Sequence, residues 1–168
     1  MNTQNETILI VDDEQVVRRL LKTSLSRKGY KCLEAGNAEE ALAHLKNHTV
    51  DLALLDIKMP GKSGIELLDE VIADYPDTAV IMISAVSTND TAIECMRKGA
   101  YDYIIKPFNP DEVTLRIQYA LEKRKLRIDN RNYQLHLEEK VQEQTGKIRA
   151  SEENFRHSVE NSPMGIRI

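Results

Sequence analysis

The sequence predicts an α/β fold in which helices cover both faces of a parallel sheet. Short apolar runs alternate with helix-like patterns over residues 7–105, which is the order of a repeated strand–helix unit. Three of the runs are apolar without interruption, as expected of strands buried on both faces. Glycine also stands near the end of two helix patterns, at Gly29 and Gly99, where helices commonly stop.

Five short strands are predicted. They cover residues 8–11, 31–35, 52–55, 80–83 and 103–105. The second is the weakest, because charged residues interrupt its apolar pattern. Parallel strands end along one edge of their sheet, and doubly wound folds place their sites outside that edge. Residues that directly follow these strands are therefore the first candidates for function.

Four helices are predicted between the strands, at 14–28, 38–47, 64–74 and 89–98. In the first, Val17, Leu20, Leu21 and Leu25 are predicted to form one apolar face. Asn37 is the predicted N-cap of the second helix, because its side chain can accept a hydrogen bond from a free backbone N–H.

A fifth helix is predicted from Pro110, a residue that suits the first turn of a helix. Only Gly146 interrupts the helical composition before Pro163. A helix of roughly 40 residues is therefore predicted, far longer than the usual mean of about 12. Its apolar residues recur at intervals of seven with one interval of six. They are Leu121, Ile128, Leu135, Val141, Ile148 and Phe155.

This spacing predicts a weak parallel homodimer through the C-terminal helix. Arg124 and Arg131 stand where a strong coiled coil would bury apolar side chains. A single solvated helix is the alternative, in which no second chain covers the apolar residues.

The composition, 41% hydrophobic and 30% charged, is that of a globular protein. Cys32 and Cys95 lack metal-binding spacing, so reduced thiols are expected.

No secretory signal and no apolar run of about 20 residues is present, so we expect a cytoplasmic protein without a membrane segment. Nucleic acid is not an expected partner, because the net charge is −4 and acids interleave the basic cluster at 123–131.

Three acids directly follow predicted strands. Asp12 and Asp13 come after the first strand, and Asp56 comes after the third. Three carboxylates brought to one edge repel one another and need a counter-charge. A hard divalent cation such as Mg²⁺ prefers oxygen ligands and keeps positions open for a phosphate oxygen. The hydroxyl of Ser84 and the charge of Lys106, after the fourth and fifth strands, are suited to phosphate.

Four segments around these residues resemble the response regulator receiver domain of two-component signalling, over about residues 6–123. They are Ile10–Glu14, Leu55–Gly61, Ile83–Ala85 and Tyr101–Phe108. The resemblance implies a flavodoxin-like five-stranded sheet in the order 2-1-3-4-5. It also implies that Asp56 accepts a phosphoryl group from a sensor histidine kinase or a phosphotransfer protein.

The resemblance further implies a Mg²⁺ or Mn²⁺ ion held by Asp12, Asp13, Asp56 and the backbone carbonyl of Lys58. Ser84 and Lys106 would contact the phosphoryl group.

The peptide bond joining Lys106 to Pro107 would be cis. Tyr103 would turn inward when Ser84 moves toward the phosphate, and this would change the surface formed by the fourth helix, the fifth strand and the fifth helix.

Three regions are expected: a receiver domain at 1–123, a helical coiled-coil linker at 124–150 and the truncated start of a PAS-like domain at 151–168, cut from a longer signalling protein with its own output domain. Two alternatives stay open. One is a metal-dependent aspartyl-phosphate phosphohydrolase, although Lys58 stands where such enzymes usually carry a second acid. The other is a dimerisation module that works without phosphorylation.

Overall fold

The computed structural model describes the backbone of residues 5–160 and the side chains of residues 5–157. Within this part, five strands alternate with five helices. In chain order they are β1 (Thr7–Val11), α1 (Gln15–Arg27), β2 (Lys31–Ala35), α2 (Ala38–Asn47), β3 (Leu52–Leu55), α3 (Gly64–Asp74), β4 (Ala79–Ser84), α4 (Asn89–Arg97), β5 (Asp102–Ile105) and α5 (Pro110–Glu160). The strands form a parallel sheet in the order β2-β1-β3-β4-β5, which confirms the predicted fold.

The sheet is buried on both faces. Alternate residues of β1 point to opposite sides, so Leu9 and Val11 join the core under α2, α3 and α4, while Ile8 and Ile10 join the core under α1 and α5. Fully burying one such side chain contributes about 1.5–3 kcal/mol. The helices therefore pack against both faces of the sheet and stabilise the positions of its strand ends.

The register aligns the carboxyl ends of the central strands. Val11, the last residue of β1, lies beside Leu55, the last residue of β3. Ser84, which ends β4, lies beside Ile105, which ends β5. The residues that follow these strands consequently leave the sheet at the same edge.

Several predicted helix signals are confirmed. The Asn37 side chain accepts a hydrogen bond of 2.8 Å from the backbone N–H of Glu40. Gly29 and Gly99 have φ angles of 97° and 110°, in the left-handed region that favours glycine. The predicted face of α1 is wrong at Leu20, which is 48% exposed, whereas Leu21 and Leu25 are buried.

α5 contains 51 residues and is longer than predicted. No proline follows Pro110 within it, and Gly146 has open space around it, so nothing in the sequence breaks the helix before its end. Residues 151–160, predicted as the start of a PAS-like domain, are helical, and residues 161–168 lie outside those described. None of the described helices is both long enough and apolar enough to cross a membrane.

The chain divides into two units, Met1–Lys125 and Leu126–Ile168. Leu121, the first residue of the heptad pattern, is buried in the core of the first unit with Val113 and Ile117. It is therefore unavailable to a partner helix. The second unit carries large apolar side chains that are exposed in the single chain. They are Leu126, Tyr133, Leu135, Leu137, Val141, Ile148 and Phe155.

Arg124 belongs to the packing of the first unit. Its Nη2 lies 3.2 Å from Oδ1 of Asp51, and both side chains are 18% exposed. Its Nε donates to the backbone carbonyl of Asp77. Asp51 in turn accepts a hydrogen bond of 2.7 Å from the backbone N–H of Thr7. The arginine thus joins the last turns of the first unit's part of α5 to the amino-terminal edge of the sheet.

Replacing Arg124 with alanine is expected to lower the free energy of unfolding of the first unit by about 1–2 kcal/mol, because Asp51 and Asp77 lose a half-buried charged donor. Urea unfolding followed by circular dichroism measures the change. Lys125→Ala is the control, since Lys125 is exposed on the same helix. Equal stability of Arg124→Ala and the wild type would contradict the role assigned to this arginine.

Candidate functional site

Three carboxylates meet at the carboxyl edge of the sheet. Asp12, Asp13 and Asp56 each offer an oxygen, and these oxygens lie within 4.8 Å of one another. Asp12 and Asp56 are buried, and Asp13 is exposed. The backbone N–H of Asp56 donates to the Val11 carbonyl at 2.9 Å, so strand pairing itself sets the distance between the acids.

Lys106 lies between the two buried acids. Its Nζ is 2.7 Å from Oδ2 of Asp12 and 3.3 Å from Oδ2 of Asp56. Its backbone N–H donates to the carbonyl of Ser84 at 2.9 Å, which fixes the lysine at the end of β5. The peptide bond between Lys106 and Pro107 is cis, as expected.

Burial and neighbouring charges shift the pKa values of both partners of this ion pair. Burial, followed by the nearby charge of Asp12, raises the pKa of Asp56 despite the opposing effect of Lys106. Burial alone would lower the pKa of Lys106, but hydrogen bonds and charges from Asp12 and Asp56 outweigh burial and raise that pKa. The lysine is consequently cationic at neutral pH, and the acid cluster favours additional positive charge.

The donor set fits a hard divalent cation. All three side chains offer carboxylate oxygens, and they come from the ends of two adjacent strands. Such oxygens suit Mg²⁺ or Mn²⁺, whereas softer metals prefer sulfur or imidazole ligands. Lys58, whose backbone carbonyl was expected to contribute, is an exposed residue of the loop that follows Asp56.

Ser84 and Tyr103 both form hydrogen bonds with Val86, in the loop after β4. Ser84 is buried, and its Oγ accepts a hydrogen bond of 3.2 Å from the backbone N–H of Val86. The Tyr103 hydroxyl donates to the backbone carbonyl of the same Val86. Tyr103 is already half-buried in this structure and packs against the core under α2, α3 and α4. The two predicted switch residues therefore hold the same peptide segment.

Gly64, the first residue of α3, was not among the site residues predicted from the sequence. A side chain there would overlap the carbonyl of Asp56 and come within 2.8 Å of the Cα of Ile57. The backbone N–H of Gly64 donates to the Ile57 carbonyl at 2.8 Å. Only glycine permits this close approach, which fixes the peptide next to Asp56. The feature of the sequence that could have indicated this role is the position of a glycine directly after Ser63, the N-cap of α3.

Replacing Gly64 with alanine is expected to destabilise the protein by about 3 kcal/mol, because the added methyl must displace backbone atoms at Asp56 and Ile57. Urea unfolding measures the change. In the control, Gly36→Ala, the added methyl would lie no closer than 3.5 Å to a neighbouring atom, so a much smaller effect is expected. Similar losses in the two variants would show that close packing on Asp56 is not the cause.

Comparisons with known proteins agree with this arrangement. A family model described as the response regulator receiver domain matches residues 8–118. The phosphate regulon transcriptional regulatory protein PhoB of Pseudomonas aeruginosa is 43% identical over 121 residues, which are 69% of this chain and 52% of that protein. The chain thus spans about half the length of this curated relative.

Two solved structures are similar in fold. A CheY-like response regulator receiver domain protein from Methanospirillum hungatei superposes with a TM-score of 0.70 and 33% identity, over 73% of this chain and 98% of that chain. The response regulator TrrA of Thermotoga maritima, in complex with Mg(2+)-BeF, gives a TM-score of 0.63 and 36% identity, over 68% of this chain and 98% of that chain.

The family model covers the strands and helices that carry the acid cluster, and the fold superposes on those of these structures. The chain therefore belongs to the response regulator receiver domain family of two-component systems.

Proposed function

We propose that the chain is a phosphoacceptor switch in a two-component phosphorelay. A carboxylate oxygen of Asp56 attacks the phosphorus of a phosphohistidine on a sensor histidine kinase or phosphotransfer protein. A P–O bond forms, the P–N bond breaks, and its electron pair returns to the imidazole. The observation that carries the proposal is the convergence of Asp56 with two further carboxylates and Lys106.

Each residue around Asp56 has a specific task in this proposal. A divalent cation, when bound to Asp12, Asp13, Asp56 and the Lys58 carbonyl, supplies positive charge that offsets repulsion between carboxylate and phosphoryl group. Lys106 provides a second, fixed positive charge, since its Nζ already reaches Oδ2 of Asp56. The protein thus contributes mainly positioning and charge neutralisation. Slow self-dephosphorylation is expected to follow, by attack of water on the acyl phosphate.

The hydrogen bonds to Val86 offer a route from the phosphoryl group to the surface. When Ser84 donates its hydroxyl to a phosphoryl oxygen on Asp56, its Oγ moves away from the Val86 N–H. The loop after β4 then changes position. Tyr103 follows, because its hydroxyl is held by the carbonyl of that same residue. The face formed by α4, β5 and α5 changes as a result.

The proposed output is an altered homodimer formed through α5 beyond Lys125. Six of the seven exposed apolar side chains, all except Leu135, lie on one side of this helix and support the proposal, since a second copy would remove them from water. The PAS-like start at 151–168 stays a prediction.

Replacing Val141 and Ile148 together with glutamate is expected to abolish the dimer, because burying carboxylates between two helices is far more costly than burying aliphatic side chains. Sedimentation velocity of wild type and variant, with and without beryllofluoride and Mg²⁺, measures the oligomeric state. Gln142→Glu with Ala150→Glu is the charge-matched control, because both residues are exposed on the opposite side of the same helix from Val141 and Ile148. A wild type that stays monomeric in both conditions would reject the dimer.

Incubation with acetyl phosphate in Mg²⁺ or in excess EDTA, followed by intact-mass spectrometry, tests the acceptor function. We expect a labile phosphoryl adduct only with Mg²⁺. Rapid turnover of phosphomonoesters would instead favour the phosphohydrolase. A wild type that gains no adduct and binds no beryllofluoride would favour the dimerisation module.

A further inference from the structure

Arg18 reaches from α1 back to the end of β1. Its Nη1 lies 2.5 Å from the backbone carbonyl oxygen of Asp12. The side chain is 17% exposed, and its Nε lies 3.9 Å from Oε1 of Glu34 on β2. A methyl built at Gly36 would lie in ordinary van der Waals contact with Nη1, at 3.5 Å. The arginine is thus held between the ends of β1 and β2.

The carbonyl that Arg18 binds belongs to the peptide joining Asp12 to Asp13. The Asp12 carboxylate has its own support, because Oδ1 accepts from the N–H of Glu14 at 2.9 Å and Oδ2 accepts from Lys106 at 2.7 Å. Asp13 is exposed. The orientation of the peptide before it limits the directions in which its side chain can point. A donor that fixes this peptide therefore restricts where the Asp13 oxygens lie relative to Asp56.

We propose that Arg18 is a positioning residue for the divalent cation site. By holding the Asp12–Asp13 peptide, it keeps the Asp13 carboxylate within reach of the same ion as Asp12 and Asp56. The inference rests on the proposed function, which places a cation at this cluster. It adds a residue that touches neither the ion nor the phosphoryl group and that sets the affinity for the ion through the backbone.

Positioning and simple charge effects predict opposite results when Arg18 is removed. Arg18 is a cation beside a cation site, so its loss on Coulombic grounds would strengthen binding of Mg²⁺. If Arg18 orients Asp13, its loss weakens binding instead. The sign of the change in affinity therefore separates the two effects.

The test is isothermal titration calorimetry of Mg²⁺ into the wild type, Arg18→Ala and Arg19→Ala. We expect the Kd of Arg18→Ala to rise about tenfold, the lower end of the cost of losing an outer-shell partner of a metal ligand. Arg19 is the matched control, because it is the neighbouring arginine of α1 and is exposed. Its replacement is expected to change the Kd by less than about twofold, since exposed charges are screened.

A second readout is the Mg²⁺ dependence of phosphorylation by acetyl phosphate. In Arg18→Ala, the Mg²⁺ concentration for half-maximal rate should rise by the same factor as the Kd. The maximal rate at saturating Mg²⁺ should equal that of the wild type, because the phosphoryl-contacting residues are unchanged. A general packing defect would lower the maximal rate instead.

A folded Arg18→Ala that binds Mg²⁺ as tightly as the wild type, or more tightly, would overturn the inference. If Arg18→Ala does not fold, Arg18→Lys replaces it. Lysine keeps the charge but lacks the guanidinium fork, so a rise in Kd of about threefold is expected and an unchanged Kd overturns the inference. A wild type that binds no Mg²⁺ rejects the cation site itself, an outcome distinct from failure of the Arg18 role alone.

Discussion

Replacing Asp56 with asparagine is expected to abolish the phosphoryl adduct in intact-mass spectra after incubation with acetyl phosphate and Mg²⁺. The amide is close in size to the carboxylate but is a poor nucleophile and cannot form the acyl phosphate. Asp12 and Asp13 are not expected to substitute. The Asp12 carboxylate already accepts hydrogen bonds on both oxygens, from Glu14 and Lys106.

Asp74→Asn is the control for this experiment, because Asp74 is an exposed carboxylate at the end of α3. It removes the same charge without touching the acid cluster and should leave the adduct unchanged. An adduct of undiminished yield on Asp56→Asn would show that another group is the acceptor.

Asp56 also gives the metal-free protein a specific pH dependence. Burial and the charge of Asp12 raise the pKa of Asp56, so the folded state binds this proton more tightly than the unfolded state does. Its contribution to stability is therefore greatest at low pH and is lost as pH rises through the raised pKa. Urea unfolding in EDTA should show this loss in the wild type relative to Asp56→Asn. A difference between the two that does not change with pH would contradict the shift.

Replacing Lys106 with alanine is expected to slow phosphorylation by acetyl phosphate by about 100-fold at saturating Mg²⁺, the usual scale for losing one preorganised donor to developing negative charge. The Lys106 ammonium contacts both buried acids. Among the residues that the structure describes, no other side chain could supply this charge in its place. The initial rate of adduct formation by intact mass measures the effect.

The same substitution should also destabilise the metal-free protein by about 2 kcal/mol, because it leaves Asp12 and Asp56 buried without their counter-charge. Lys46→Ala, at the exposed end of α2, is the control for loss of a lysine. If Lys106→Ala accepts phosphoryl groups at the wild-type rate, the lysine does not stabilise the transferring group.

The fold and the main site residues were predictable because both follow from short-range patterns. Continuous apolar runs of four residues indicated buried strands, and a parallel sheet places every strand end on one edge. Asp12 and Asp56 directly follow such runs, and Lys106 follows the shorter run at 103–105, so their convergence needed no knowledge of side-chain contacts. The resemblance to receiver domains supplied the roles that these patterns leave open.

Other features depend on how the elements pack in three dimensions and were not predictable from the sequence. Leu20 is about 60° from Val17 around the helix, so periodicity alone includes it in the apolar face. The packing of α1 on the sheet decides that Leu20 is 48% exposed while Leu21 is buried. Arg124 was expected at a position that a strong coiled coil would fill with an apolar side chain, yet it contacts Asp51, which is far away in sequence. Gly64 and Arg18 act on the backbone beside the acids, and the only local signal for either was the position of Gly64 directly after the N-cap Ser63.

Locating the phosphoryl group chemically is the most direct test of Asp56 as the acceptor. Borohydride reduces an aspartyl phosphate to homoserine, which peptide mass spectrometry can assign to a position in the chain. After treatment with acetyl phosphate and Mg²⁺, we expect homoserine at position 56 and aspartate at positions 12 and 13. Homoserine at either of those positions, or a phosphoryl adduct that yields no homoserine, would contradict the proposed function.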